Sequence, residues 1–371
     1  MNAPPDFEIF LVTAPGLESL LCAEAREKGF KAPKAVKGGV TVQGGWPEIW
    51  RASLEIRGAA RILARIAEFR ALHLAQLDKR ARKVPWAEFL RRDVAFRVEA
   101  SCRKSRIYHQ GAAAQRIATA IREELGATLS EDAEVCVKAR IDDDLCTISI
   151  DTSGESLHKR GHKEAIAKAP MRENLAALFL RQCGYQGNEP VLDPMCGSGT
   201  FVIEAAEIAA GLKPGRSRHF AFELLATFDA AAWEKSRAAG VAAAPVFRFH
   251  GSDHDAGAIR MARDNAARAG VADWTEFRQQ SVGELTRPDG PPGLVICNPP
   301  YGARIGDKKR LAPLYRALGQ TLRTRFQGWR VGIITNDAEL AAATGLPFGS
   351  PAGPISHGGI SVSLFLTGKL A

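Results

Sequence analysis

Short apolar runs and amphipathic stretches alternate along this chain, and their order changes at Ala165. Ahead of that point, 7–12 and 60–69 read as strands, 17–28 and 47–54 as helices, and 36–42 as a hairpin region. This is a ferredoxin-like α+β order over residues 1–70. A helical stretch at 72–84, a strand at 94–101, a helix at 110–125 and paired strands at 134–139 and 145–151 predict a second small α+β domain over 71–160. From Ala165 onward a helix is followed by strands at Val191, Val246, Thr275, Leu294, Val331 and Ile360, with helices after most of them. That alternation predicts an α/β domain over 161–371, built on a doubly wound, mostly parallel sheet.

Open sheets of this kind bind ligands beyond the carboxyl ends of their strands. Asp193, Asp253, Ser281 and Asn298 all fall at such ends. Val191 and Leu192 close an apolar run at Asp193, and Pro194-Met195-Cys196-Gly197-Ser198-Gly199-Thr200 leads into a helical pattern over 201–210. Glycines in that turn let the backbone approach a ligand, and the helix N-terminus favours an anionic group. A dinucleotide fingerprint would need a third glycine where Val202 stands, which weakens a nicotinamide-cofactor reading. Asp253 sits where a doubly wound fold places the carboxylate that accepts from ribose hydroxyls, while Asp255 reads as the cap of the helix over 258–269. Residues 214–245 read as an insertion with one helix around 228–239.

After the apolar run 294–297 comes Asn298-Pro299-Pro300-Tyr301. Two prolines fix the backbone and remove two N–H donors, so nearby carbonyls are available as acceptors for an exocyclic amine. Asn298 offers a side-chain oxygen, and Tyr301 an aromatic face for a flat partner. Taken alone, the tetrapeptide is equally a proline turn closing a strand.

In this order, the 193–200 loop, the 251–255 segment and the 298–301 tetrapeptide resemble class I S-adenosylmethionine-dependent methyltransferases acting on amino nitrogens. Leu157-His158-Lys159-Arg160-Gly161-His162, Ala169-Pro170-Met171-Arg172-Glu173-Asn174, and Phe220-Ala221-Phe222-Glu223 with Phe228 and Trp233 are similar to the THUMP-domain RNA methyltransferases. Among these, the likeness is to the guanine-N2 module acting on bacterial large-subunit (23S) ribosomal RNA. The resemblance implies a Rossmann-like methyltransferase domain, a THUMP RNA-binding domain over 71–160, and S-adenosyl-L-methionine as cofactor. It assigns Asp193, Met195, Gly197, Ser198, Gly199, Thr200, Asp253 and His254 to the cofactor, with Ser281 where such enzymes often place an adenine-binding Asp. Asn298, Pro299, Pro300 and Tyr301 become the catalytic motif for the target base.

The formal charge of +9 points to a polyanionic partner. Cations cluster at Lys79, Arg80, Arg82 and Lys83; at Arg103, Lys104 and Arg106; at Lys159, Arg160 and Lys163; and at Lys308, Lys309 and Arg310. Arg103, Lys104, Arg106, Lys159, Arg160 and Lys163 are the candidate RNA-binding set. Seven cysteines without paired metal spacing read as buried free thiols of a reducing cytosol. The pairs His158/His162 and His250/His254 have no third ligand, so no metal site is expected. No run approaches a membrane span, and a cytoplasmic monomer is the expected state. Adenine N6 in RNA or DNA, a protein glutamine amide, and a non-catalytic RNA-binding assembly factor are the rival readings.

Overall fold

The computed structural model describes residues 6–163, 171–240, 242–302, 307–357 and 359–371, with backbone alone at 307 and 308. The helix read from Ala165 and the Ala169-Pro170 part of one motif lie outside these residues; the described chain there resumes at Met171. Two compact units emerge: residues 1–13, 21–157 and 218–239 form one, and 14–20, 158–217 and 240–371 the other.

The first unit is organised by one seven-stranded sheet. Its elements are β1 (Phe7–Val12), α1 (Glu18–Glu27), β2 (Lys31–Val36), β3 (Gly39–Gly44), α2 (Trp46–Glu55), β4 (Arg61–Arg70), α3 (Leu74–Ala81), α4 (Trp86–Phe89), β5 (Phe96–Arg103), α5 (Gln110–Leu125), β6 (Val135–Asp142) and β7 (Leu145–Asp151). The strand order is β2-β3-β1-β4-β7-β6-β5, and antiparallel pairing of β4 with β7 joins the ferredoxin-like strands to the following ones. Only β5 and β6 pair in parallel, as their linking helix α5 requires. His109 opens α5 by accepting from the Ala112 N–H at 3.0 Å, and Gly126 at φ 75° ends it.

Of the insertion read over 214–245, residues 218–239 belong to the first unit and its two ends to the second. It contributes a short 3-10 turn at Ala221–Leu224 and α8 (Ala230–Ala238), slightly shorter than the sequence suggests. Phe222 stacks on Phe220 at 5.1 Å and meets Trp233 edge-on at 4.9 Å and Trp50 of α2 at 6.4 Å. These buried rings pack the insertion against α2.

The second unit contains α6 (Glu173–Gln182), β8 (Val191–Asp193), α7 (Thr200–Ala209), β9 (Phe249–Asp253), α9 (Ala256–Ala269), β10 (Thr275–Gln279), β11 (Leu294–Cys297), α10 (Asp307–Arg325), β12 (Arg330–Thr335), α11 (Ala338–Ala343), β13 (Ala352–His357) and β14 (Ile360–Leu366). Its order is β10-β9-β8-β11-β12-β14-β13; the first five are parallel and β14 runs antiparallel to both its neighbours. The chain winds outward from β8 through β9 to β10 and returns to β11 on the other side of β8. A crevice therefore opens at the carboxyl ends of β8 and β11.

Two strands depart from their sequence expectations. The strand expected at Val246 begins at Phe249, because pairing with β10 and with β8 both start there, over Phe249–Asp253 and Phe249–Gly251, and Val246 is 91% exposed. β13 carries Pro354, which breaks the apolar rhythm and is tolerated because the strand lies at the sheet edge. Among the described residues, no helix is long and apolar enough to cross a membrane.

Candidate active site

The turn after β8 is built by carboxylates that bind backbone amides. Asp193 is 2% exposed and accepts from the Met195 N–H at 3.0 Å. Across the crevice, Asp253 accepts from the Gly197 N–H at 3.0 Å through one oxygen and from the Asp255 N–H at 3.0 Å through the other. The Cys196 N–H also donates to the Ser252 carbonyl at 2.9 Å. The glycine loop is thus tied to the end of β9 before any ligand is considered.

The two glycines do different work. Gly197 takes φ 52°, and a Cβ there would meet nothing within 4 Å, so its backbone faces open space. Gly199 takes φ 86°, and a Cβ would lie 3.1 Å from the Ala262 Cβ and 3.2 Å from the Phe277 ring. It lets α7 start tight against α9 and β10. Asn265, fully buried on α9, donates to the Ser198 carbonyl at 3.1 Å and locks the loop from below.

Burial pushes the Asp193 carboxyl up to about 8, against the Met195 N–H and with help from the Asp253 charge. Burial likewise raises the Cys196 and Cys297 thiols, so neither presents a thiolate beside the crevice. His254 is exposed, with Nδ1 3.1 Å from Asp253 Oδ1. Asp255 caps α9 by accepting from the Gly257 N–H at 2.7 Å, as its position predicts.

Asn298 follows β11 at the same edge of the sheet. Its Oδ1 is buried and, among the described residues, has no hydrogen-bond partner. A buried amide oxygen left open costs about 1–3 kcal/mol unless something donates to it. The two proline carbonyls differ, contrary to the expectation that both face outward. Pro300 O accepts from the Tyr315 hydroxyl at 3.3 Å, whereas Pro299 O has no donor among the described residues. Tyr301 is half-buried, its hydroxyl 3.3 Å from His357 Nδ1, and burial keeps its phenol neutral. Ser281 lies beyond β10, exposed, and donates to Glu284 at 2.8 Å.

Two of the candidate RNA-binding cations are not on the surface. Arg160 is 2% exposed and lies 3.5 Å from the equally buried Glu204 of α7. Lys163 donates to Thr200 Oγ1 at 2.9 Å and to the Met171 carbonyl at 3.1 Å, and pairs with Glu173 at 3.1 Å. Both neutralise carboxylates that the apolar faces of α6 and α7 bury, so the RNA assignment of Arg160 and Lys163 is corrected. Thr200 is correspondingly turned toward Lys163. Lys159 is exposed, as are Arg103, Lys104 and Arg106. Within the first cluster, Arg82 is held by Asp78 at 2.9 Å and Glu123 at 2.6 Å. The side chain of Lys308 lies outside the described part of the chain.

The sequence reading missed the layer behind the tetrapeptide, Tyr315 and His357, and the carboxylates that hold Arg160 and Lys163. One signal was available for the latter. Glu204 and Glu207 interrupt the otherwise apolar Thr200–Ala209 stretch, and a buried carboxylate requires a cation.

Comparison with known proteins identifies the domains of this chain. The family model described as "RMKL-like, methyltransferase domain" matches residues 160–348, the RlmL ferredoxin-like domain matches 8–63, and the THUMP domain matches 73–151. A "Ribosomal RNA large subunit methyltransferase K/L" from Syntrophotalea carbinolica is 37% identical over 93% of this chain and 51% of its own length. The chain spans about half the length of the curated relatives it matches. Among solved structures, a "possible methylase" from Clostridium difficile 630 superimposes with a TM-score of 0.90 at 30% identity, covering 99% of both chains. SMU.472, a structure of a protein described as a methyltransferase and complexed with SAH, gives 0.88 at 28% identity, covering 100% of both. With more than half of its length matched by that model, this chain belongs to the family of RMKL-like methyltransferase domains.

Proposed function

We propose that this chain transfers a methyl group from S-adenosylmethionine to an exocyclic amine of an RNA base, specifically guanine N2 of large-subunit ribosomal RNA. The observation that carries the reading is the buried Oδ1 of Asn298 at the crevice, without a partner among the described residues, together with the two-carboxylate glycine loop. The guanine and ribosomal assignments rest on the family likeness and on what the relatives are named for.

The residues present fit the cofactor. Gly197 leaves open space over its backbone, and the Asp193 carboxyl, buried with one backbone donor, would regain its charge beside an ammonium group. Asp253 keeps lone pairs free for ribose hydroxyls beyond its two backbone donors. Met195, Ser198 and Thr200 shape the loop, His254 flanks Asp253, and Ser281 stands near the adenine position. When bound, the cofactor supplies a methyl group already activated by the sulfonium charge.

The protein's task is then to align and desolvate the nucleophile. An aromatic amine is a weak nucleophile, because its lone pair is delocalised into the ring. Asn298 Oδ1 and the Pro299 carbonyl would accept its two hydrogens and favour a more pyramidal nitrogen. The half-buried Tyr301 ring, held through its hydroxyl by His357, would stack on the base, and Pro300 would form the wall. A paired base must first leave its helix, so loop or unstacked RNA is the cheaper substrate. In this reading residues 1–70 and 71–160 are ferredoxin-like and THUMP modules that present RNA to the methyltransferase domain at 161–371, in the cytoplasm and as a monomer.

Incubation of the chain with labelled cofactor and hypomethylated ribosomal RNA, followed by nuclease digestion and nucleoside mass spectrometry, tests this directly. N2-methylguanosine is expected. N6-methyladenosine would reassign the base, and absence of any methylated nucleoside would leave a binding factor without turnover.

A further inference from the structure

The loop between β5 and α5 carries an aromatic side chain that the fold does not use. Tyr108 is 82% exposed and, among the described residues, makes no hydrogen bond or ring contact. Its backbone is nevertheless fixed on both sides. Ile107 before it is buried, and His109 after it is the cap of α5. Upstream, Ser105 Oγ donates to the Arg103 carbonyl at 2.7 Å and accepts from the Asp144 N–H at 3.0 Å. The Arg106 N–H donates to Asp144 Oδ1 at 2.8 Å. Lys104 is held at φ 46°, a left-handed conformation that a lysine keeps only when its surroundings over-determine it.

This anchored loop carries exposed cations two to five residues before the ring. Arg103, Lys104 and Arg106 are exposed; among the described residues only Arg106 of the three is within ion-pair distance of a carboxylate, Asp144 at 4.0 Å, while the Asp142 charge acts on Arg103 and Lys104 from farther off. A protein-docking tyrosine would normally sit among other apolar side chains, with charge depleted at the centre. Here its near sequence neighbours are cations, a combination suited to a polyanion with flat bases.

We infer that Tyr108 is a stacking platform for an unpaired RNA base, with Arg103, Lys104 and Arg106 taking the flanking phosphates. The inference rests on the reading of RNA as substrate and adds the strand state of the RNA that the first unit takes. In an A-form duplex the base faces are hidden in the stack, so the ring can engage only single-stranded or looped RNA. Because the loop is already ordered, little conformational freedom is lost on binding.

The test uses the full chain and fluorescently labelled RNA of about twelve nucleotides, single-stranded or as a duplex. Tyr108→Ala should weaken single-strand binding about 10–100-fold and leave duplex binding and the melting temperature unchanged. Tyr108→Phe should bind like wild type, since the ring and not the hydroxyl is used. Tyr108→Trp should bind equally well and lose emission intensity when the single strand is added. Wild-type affinity for single strands in Tyr108→Ala, or an equal loss on duplex, would overturn the stacking role while leaving the RNA reading intact. Failure of the wild-type chain to bind either RNA would overturn both.

Discussion

The two sheets of this chain have seven strands each, yet they offer ligands different things. In the first unit the pairing is antiparallel except between β5 and β6, and hairpins join β2 to β3 and β6 to β7. Its polar chemistry stands on exposed positions, with Arg103 at the end of β5 and Lys104, Arg106 and Tyr108 on the loop that follows. In the second unit five parallel strands reverse their winding between β8 and β11, and the crevice there gathers Asp193, Asp253 and Asn298 at buried or half-buried positions. One sheet displays charge to solvent, where it acts at long range; the other hides polar atoms, where each unpaired one is costly and therefore specific.

The contrast can be broken first at the cations. Arg160→Ala leaves Glu204 buried without this partner and should cost about 3–5 kcal/mol in denaturant unfolding, while the salt dependence of RNA binding by the remaining folded protein stays as in wild type. Arg103→Ala combined with Lys104→Ala should do the reverse. Its unfolding curve should match wild type, and the slope of log affinity against log salt should fall by about 0.7 for each phosphate that is no longer neutralised.

The second-largest effect belongs to Asn298. Replacement by Ala should lower the single-turnover transfer rate about 10²–10³-fold, the scale seen when one polar group that stabilises a transition state is removed. Cofactor affinity, measured by titration calorimetry, should be retained, because Asp193, Asp253 and the glycine loop are untouched.

Asp193 joins stability to binding. A carboxyl with pKa about 8 when folded and about 4 when unfolded binds more protons in the folded state between those values. Its contribution therefore falls as pH rises through that window and is fully lost above it. Asp193→Asn should flatten this part of the pH–stability curve and melt higher than wild type near pH 9, while weakening cofactor binding about tenfold or more. The Arg103/Lys104 double variant has the smallest effect on stability, and its loss of RNA affinity is largest at low salt and shrinks across a salt series.

Much of the second unit is legible in the sequence, because its signals are local. A glycine turn opening a helix, an acid at a strand end and two prolines after an apolar run each announce themselves within a few residues. The first-unit helices and central strands are equally local: β1 and α5 coincide with their expected bounds. Edge strands were harder, since β2 and β13 contain Pro33 and Pro354 and need satisfy pairing on one side only. What could not be read is which surface a cation reaches. Arg160 and Lys163 look like a basic patch in the chain, and only packing against Glu204 and Glu173 turns them inward. Likewise, the difference between the Pro299 and Pro300 carbonyls is made by Tyr315, which belongs to the next helix.

The claim that the hidden polar atoms of the second unit perform the chemistry turns on Asn298. Single-turnover methyl transfer to hypomethylated large-subunit ribosomal RNA, followed for wild type and Asn298→Ala with cofactor binding measured on the same samples, tests it most directly. Transfer slowed about 10²–10³-fold with unchanged cofactor affinity is the predicted result. Transfer at the wild-type rate by Asn298→Ala would contradict it.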